Sequence, residues 1–271
     1  MLHTFEMKNR SPTIRRPPRG TCIYCGSRDY RANRDRKLGE EHIIAEGLGG
    51  NLVLQEAACE ACEDAIKHFE PSFLKTVLYA PRVHLGIRRK RRNRGEETIK
   101  IQGSANGKNI EINLPIKTSP VILFFAQLGA PGILIGRPIN IADMRGAWVK
   151  HLNADAVLAP RGFQSFASPV LDTYKFSQFL AKIAHGFVVD SFGDSFTPLL
   201  RELIRNKHPT NQRYDLVGGT SDSEGPSDNL HELGAEWRPA KGITYAVVRI
   251  RLFANLGAPT YLVVAGTQRA T

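Results

Sequence analysis

The sequence predicts a mixed α+β fold, in which a small module organised around four cysteines precedes a larger region of helices and strands. Three observations support this class. Two Cys-x-x-Cys pairs, at residues 22–25 and 59–62, enclose strand-like and turn-forming segments and lead into a helical one. Residues 98–116 alternate between apolar and polar side chains around a Gly- and Asn-containing turn, which is typical of a β-hairpin. Residues 172–192 place their large apolar side chains on one stripe of a helix.

The chain has 271 residues, which is enough for one large domain or two modest ones. We expect three parts: a basic flexible arm at 1–20, a cysteine module with a basic tract at 21–95, and an α+β domain of unknown role at 96–271. The arm contains four arginines and three prolines. This composition builds little structure of its own.

Within the module, residues 41–44 and 52–54 favour two short strands, and 47–50 form a Gly-rich turn between them. A helix is expected from Ala57 onward because alanines and Ile66 follow with high propensity or on one face. Pro71 should interrupt this helix and allow it to restart over 72–79.

In the second part, the hairpin at 98–116 comes first, and residues 119–170 give no clear assignment. The helix at 172–192 has Asp172 as its expected N-cap and Gly193 as its end. A second helix over 197–206, a long loop over 208–230 and a hairpin built from 243–253 and 261–266 complete the prediction.

The four cysteines, Cys22, Cys25, Cys59 and Cys62, have the spacing of metal ligands. A two-residue spacer lets both thiolates of a pair reach one ion, and two pairs complete the tetrahedral set that structural Zn²⁺ prefers. Two disulfides are the alternative, but they need an oxidising compartment, and residues 1–20 carry no apolar signal segment. Unrelated thiols or a redox pair are further alternatives, although a redox Cys-x-x-Cys normally occurs once.

The longest apolar stretch, residues 121–136, is interrupted by Gln127 and by several Gly and Pro residues. It is too short and too broken to span a bilayer. We therefore expect a soluble, cytoplasmic protein.

The net charge of +11 is unevenly distributed. The first 100 residues contain 20 Lys and Arg against 13 Asp and Glu. The densest run of cations favours contact with the phosphates of nucleic acid, although a solvated surface loop has the same composition. Its six cations are Arg88, Arg89, Lys90, Arg91, Arg92 and Arg94.

Glu41 and His42 are the residues between the two cysteine pairs that could perform chemistry. Adjacent residues of a strand point to opposite faces, so both can line one site only at a strand end or a bulge. There, a histidine could take a proton from water while a divalent cation stabilises the charge on a leaving oxygen.

The order of these motifs, CIYC, then EEHIIAEGLGG, then CEAC, resembles an HNH endonuclease module of the ββα-metal type with a four-cysteine zinc site. The resemblance covers residues 22–63 and extends more loosely to about residue 94. It implies that His42 is the general base, that Glu41 binds a catalytic Mg²⁺ or Mn²⁺, and that the four cysteines hold a separate structural zinc. The family usually has His or Asn directly after the last cysteine, as a second ligand of the catalytic ion, whereas this chain has Glu63. Carboxylate oxygens also bind Mg²⁺ and Mn²⁺, so we expect Glu63 to be a ligand at this position, although a weaker one.

The sequence therefore predicts a metal-dependent endonuclease that hydrolyses phosphodiester bonds, with DNA as the expected partner. Two alternatives stay open. The chain could be a zinc-stabilised nucleic-acid-binding protein without cleavage activity, or the cysteine module could be a structural or protein-interaction element of another enzyme.

Overall fold

The structure is a computed structural model that describes residues 2–29, 38–87, 98–137, 143–166, 171–206, 213–220 and 224–269. Its helices and strands confirm the predicted mixed α+β class. Within the described residues, none of the helices combines the length and the hydropathy that crossing a bilayer would require.

The strands, in chain order, are β1 His3–Met7, β2 Ile14–Arg16, β3 Gly39–His42, β4 Leu52–Ala58, β5 Thr98–Ala105, β6 Lys108–Pro115, β7 Val121–Leu128, β8 Met144–Leu152, β9 Phe163–Phe166, β10 Phe196–Pro198, β11 Val217–Gly219, β12 His231–Ala240, β13 Ile243–Leu252 and β14 Thr260–Gln268. The helices are α1 Glu60–Ile66, α2 Glu70–Lys75, α3 Tyr79–His84, α4 Gly132–Ile135, α5 Ala154–Leu158, α6 Thr173–Phe192 and α7 Arg201–Arg205.

These strands form four sheets. The largest has the order β1-β12-β13-β14-β10, all antiparallel, and β11 also pairs with β14. The second sheet has the order β2-β4-β3, with β2 parallel and β3 antiparallel to β4. The third has the order β6-β5-β9, and the fourth pairs β7 with β8.

The second sheet and α1 form the frame of the cysteine module. Strands β3 and β4 are antiparallel, a 3₁₀ turn at Glu46–Leu48 connects them, and α1 follows directly after β4. This is the strand-strand-helix order that the sequence predicted. The tight connection needs glycine at position 50, because a Cβ atom there would lie 1.8 Å from the carbonyl oxygen of Ile44.

Residues 1–20 differ from the expected flexible arm. Strand β1 pairs with β12 at the edge of the largest sheet, and β2 pairs with β4 of the cysteine module. The asparagine Asn51 also donates a hydrogen bond from Nδ2 to the carbonyl of Pro12 at 2.8 Å. Backbone pairing with strands distant in the sequence therefore orders a segment whose composition alone favours disorder.

Helix α6 lies between the cysteine module and the largest sheet. Asp172 caps it by accepting hydrogen bonds from the backbone N–H groups of Tyr174 and Lys175, both at 3.1 Å. The helix is buried over most of its circumference. One core cluster contains apolar side chains from the module, from α6 and from the largest sheet. The division into domains at residue 96 stays a prediction, and the core is continuous across it.

Candidate metal centre

The four cysteines meet at one point. Their Sγ atoms all lie within 4.8 Å of one another, and those of Cys25 and Cys59 are 3.6 Å apart. Four ligands at the Zn–S distance of about 2.3 Å, at the corners of a tetrahedron, would be about 3.8 Å apart. The separations fit this arrangement. All four are free thiols, and the cluster is thus positioned to bind a metal ion, compatible with structural zinc.

Backbone hydrogen bonds position the first cysteine pair. The turn closes because the N–H of Gly26 donates to the carbonyl of Cys22 and the N–H of Cys22 donates to the carbonyl of Ser27, both at 2.8 Å. Ser27 also donates its N–H to the Sγ of Cys25 at 3.4 Å. The N–H of Ile23 donates to the carbonyl of Ala57 at 2.9 Å, which joins this turn to β4.

The second pair lies at the start of α1. Cys59 is the N-cap residue and Cys62 is in the first turn, so both sulfurs face the same side of the helix start. The long spacing between the two pairs is accommodated by β3, the Gly-containing turn and β4, which return the chain to the first pair.

Close contact between the thiols changes their acidity. The Cys62 thiol donates a hydrogen bond to Cys22, which lowers the pKa of Cys22 to about 4. The same hydrogen bond raises the pKa of Cys62, and burial raises that of Cys59. The cluster therefore loses its first proton readily and resists losing the next, because a second negative charge is unfavourable there. A divalent cation removes this penalty and stabilises the thiolate form.

His42 is the last residue of β3 and is partly exposed. Its Nδ1 atom is buried and has no hydrogen-bond partner among the described residues. Burial, and to a lesser degree the nearby Lys182 ammonium, lower the pKa of His42 below its usual value. The imidazole is therefore neutral near pH 7, which is the form that can accept a proton.

Glu41, by contrast, points to the opposite face and is 6% exposed. One of its carboxylate oxygens lies 2.6 Å from the Nζ atom of Lys182, a residue of α6. Lys182 also pairs with Glu70 at 3.0 Å and donates to the backbone carbonyls of His42 and Ile43. The carboxylate that we expected to bind a catalytic cation is therefore the partner of a buried lysine, and it is separated from the His42 side chain by the alternation of the strand.

Glu63 follows Cys62 in α1 and is partly exposed. Among the residues that the structure describes, only the four cysteines bring together three or more metal-ligating side chains. Glu41, Glu63 and His42 are not united in such a group. The basic tract at 88–94 lies outside the described residues, so its contact with nucleic acid stays a prediction.

The residues of α6 that contact the module were not identified from the sequence. His185 shares a 2.7 Å hydrogen bond through Nε2 with the carbonyl of Ile23, inside the first cysteine turn. Asp190 forms two hydrogen bonds with Arg16, at 2.7 and 2.9 Å. The sequence does contain one indication of this contact. A helix that is apolar on nearly all sides is buried, and a lysine within it, here Lys182, needs acidic partners that are also buried.

Comparisons of the chain with models of protein families, with curated proteins and with solved structures found no match.

Proposed function

We propose that this chain is a zinc-stabilised nucleic-acid-binding protein, in which the cysteine cluster holds the β3-β4-α1 frame. The observation that carries the proposal is the convergence of the four Sγ atoms within 4.8 Å at the base of this frame. A zinc ion bound there would join the first cysteine turn to the start of α1 and so hold this frame together.

The charge of the chain supports an anionic partner. The net charge is +11, and most of the excess lies in the first 100 residues, which include the module. Clustered cations release counterions when they neutralise backbone phosphates, and this release favours binding without regard to sequence. A domain with this charge and a metal-clamped frame fits a nucleic acid better than a neutral small molecule.

Metal analysis of the purified protein, combined with DNA binding, tests the proposal. We expect one zinc per chain and binding to a fluorescent 20-base-pair duplex that weakens steadily between 50 and 300 mM salt. A salt-independent affinity, or absence of binding at 50 mM salt, would contradict the nucleic-acid partner. Absence of zinc together with disulfides detected by mass spectrometry would contradict the metal centre.

A second candidate function, favoured by His42, is phosphodiester hydrolysis of the HNH type. The neutral, partly exposed imidazole is suited to take a proton from an attacking water. Mg²⁺ or Mn²⁺ would supply charge stabilisation at the leaving oxygen. Glu41 is paired with Lys182, and Glu63, at the position where the resemblance has a second ligand of the ion, is the other carboxylate expected to bind it.

Cleavage of supercoiled plasmid separates the two functions. If the chain is a nuclease, nicking requires Mg²⁺ or Mn²⁺, is lost in His42→Ala, and is retained in the control His68→Ala, which changes an exposed histidine just after α1. Nicking that survives His42→Ala would show that another group is the base. If the wild type binds DNA but does not nick it, the nuclease function is excluded and the binding function is supported.

A further inference from the structure

The second sheet places an arginine from the N-terminal segment in the same row as His42. Arg15 of β2 is paired with Val53 of β4, and Val53 is paired with His42 of β3. Side chains of directly paired residues lie on the same face of a sheet. Arg15, Val53 and His42 therefore share one face.

The next row shows what covers the opposite face. Arg16 is paired with Leu54, which is paired with Glu41. Arg16 binds Asp190 of α6, and Glu41 binds Lys182 of α6. Helix α6 thus packs against the face of Arg16 and Glu41.

The packing of β4 agrees with this division. Leu52 and Leu54 belong to the main core cluster, on the side of α6. Val53 is fully buried but lies outside this cluster, on the other face of the sheet, between Arg15 and His42 in their row.

Among the residues that the structure describes, Arg15 forms its ion pair as a surface contact. Its Nε atom lies 3.2 Å from a carboxylate oxygen of Glu40, and the two side chains are 53% and 46% exposed. Exposed ion pairs of this kind contribute little to stability. Arg15 can therefore exchange Glu40 for another anion at small cost.

We infer that Arg15 is a phosphate-binding residue, which contacts the backbone of a DNA strand that crosses the His42 face, and that Glu40 competes with that phosphate. This inference rests on the proposed nucleic-acid function. Two strand spacings separate Arg15 from His42 across the sheet, about 10 Å. Phosphates of one DNA strand advance by about 3.4 Å each along the helix axis, so phosphates about three nucleotides apart along a strand over this face can lie near His42 and near Arg15.

The test measures the affinity for a fluorescent 20-base-pair duplex by anisotropy, as a function of salt, in the full-length chain. Removing one phosphate contact should reduce the slope of log affinity against log salt by about 0.9 in Arg15→Gln, which is about an eightfold difference per tenfold change in salt. Glu40→Gln should act in the opposite direction and tighten binding, because it frees Arg15 and removes a negative charge from the face. Loss of a merely structural ion pair would not produce these opposite signs.

The matched control is Lys100→Gln on β5. Lys100 forms an ion pair with Glu111 at 2.7 Å across strands, with side chains 57% and 45% exposed, but on another sheet. We expect its salt slope to match the wild type. Equal slopes in Arg15→Gln and Lys100→Gln, or weaker binding by Glu40→Gln, would overturn the inference while the proposed function stands. A wild type that does not bind the duplex at low salt would remove the proposed function itself, and this inference with it.

Discussion

The buried lysine of α6 allows a quantitative test of how the helix holds the cysteine module. Lys182 is 1% exposed, and its ammonium lies 2.6 Å from Glu41 and 3.0 Å from Glu70. It also donates to two backbone carbonyls at the end of β3. The two carboxylates raise the pKa of Lys182, so the side chain stays charged in the folded protein despite its burial.

The substitution Lys182→Met keeps the length and apolar stem of the side chain and removes its charge. It leaves Glu41, a 6% exposed carboxylate, without a counter-charge. Removing one partner of a buried ion pair costs about 3–5 kcal/mol of unfolding free energy. At about 2 °C or more per kcal/mol for a chain of this size, the thermal midpoint should fall by at least about 6 °C.

Lys175→Met is the matched control, because it changes the same residue type in the same helix. Lys175 forms an ion pair with Asp172 at 3.6 Å, and both side chains are roughly half exposed. Such a surface pair contributes at most about 1 kcal/mol. Thermal unfolding followed by circular dichroism, in the presence of zinc, compares the two variants. The reasoning would be refuted if Lys182→Met lost no more stability than Lys175→Met.

A double variant identifies the cause of the lost stability. Adding Glu41→Gln to Lys182→Met removes the carboxylate that has no counter-charge, so the double variant should be more stable than Lys182→Met alone. If both variants unfold at the same temperature, packing of the lysine stem rather than charge compensation accounts for the effect.

Three further predictions concern a buried histidine, a glycine and the basic tract. His231 is buried with Nε2 at 2.8 Å from the carbonyl of Leu48 and Nδ1 accepting from the N–H of Phe253, and burial lowers its pKa to about 4. A histidine with a lowered folded-state pKa stabilises the fold above its unfolded pKa of about 6.5, and this stability is lost as the pH falls toward 4. Between about pH 6.5 and 4, the free energy of unfolding of the wild type should therefore fall by up to about 3 kcal/mol more than that of His231→Gln. Urea unfolding at each pH measures both, and an equal dependence on pH in the two proteins would contradict this. Gly50→Ala should destabilise by about 3 kcal/mol or more because of its overlap with the Ile44 carbonyl, whereas Gly225→Ala, with no atom within 4 Å of the new Cβ, should change stability little in the same assay. Replacing all six cations of the basic tract by Gln should reduce the salt slope of DNA binding by up to about 5, and an unchanged slope would exclude the tract from binding.

Local sequence signals predicted those elements that local interactions stabilise. The hairpin at 98–116 forms as β5 and β6, and its turn residues Asn106 and Gly107 both have the positive φ that a tight hairpin turn requires. The helix expected at 172–192 begins after Asp172 and ends before Gly193. In each case the deciding interactions lie within a few residues of one another in the sequence.

Elements that depend on distant partners were not predicted. Strands β1 and β2 form because their backbones pair with β12 and β4. The local sequence pattern of residues 1–20 does not predict these pairings. The helix expected over 197–206 is shorter, since Phe196–Pro198 pairs with β14 instead and α7 begins only at Arg201. Strand β12 and residues 119–170 have no assignment from the sequence, although β12 pairs with β13 and β7 pairs with β8, in each case the next strand along the chain.

The same distinction applies to the candidate site. The spacing of the four cysteines was enough to predict that their Sγ atoms lie together, because each Cys-x-x-Cys pair is held within one turn of the chain, the second pair in the first turn of α1. The role of Glu41 could not be predicted in this way, since its partner Lys182 lies 141 positions further along the chain. Motif order alone cannot show which face of β3 is covered by α6.

The most direct test of a zinc-dependent nucleic-acid-binding module is the DNA affinity of one protein preparation before and after removal of its metal. Anisotropy with the 20-base-pair duplex at 50 mM salt should show binding by the zinc-loaded chain, loss of binding after chelation under reducing conditions, and recovery when one equivalent of Zn²⁺ is restored. Mg²⁺ should not restore binding, because four thiolates select zinc over a hard cation. Unchanged affinity in the metal-free chain would contradict the dependence of binding on the cysteine cluster.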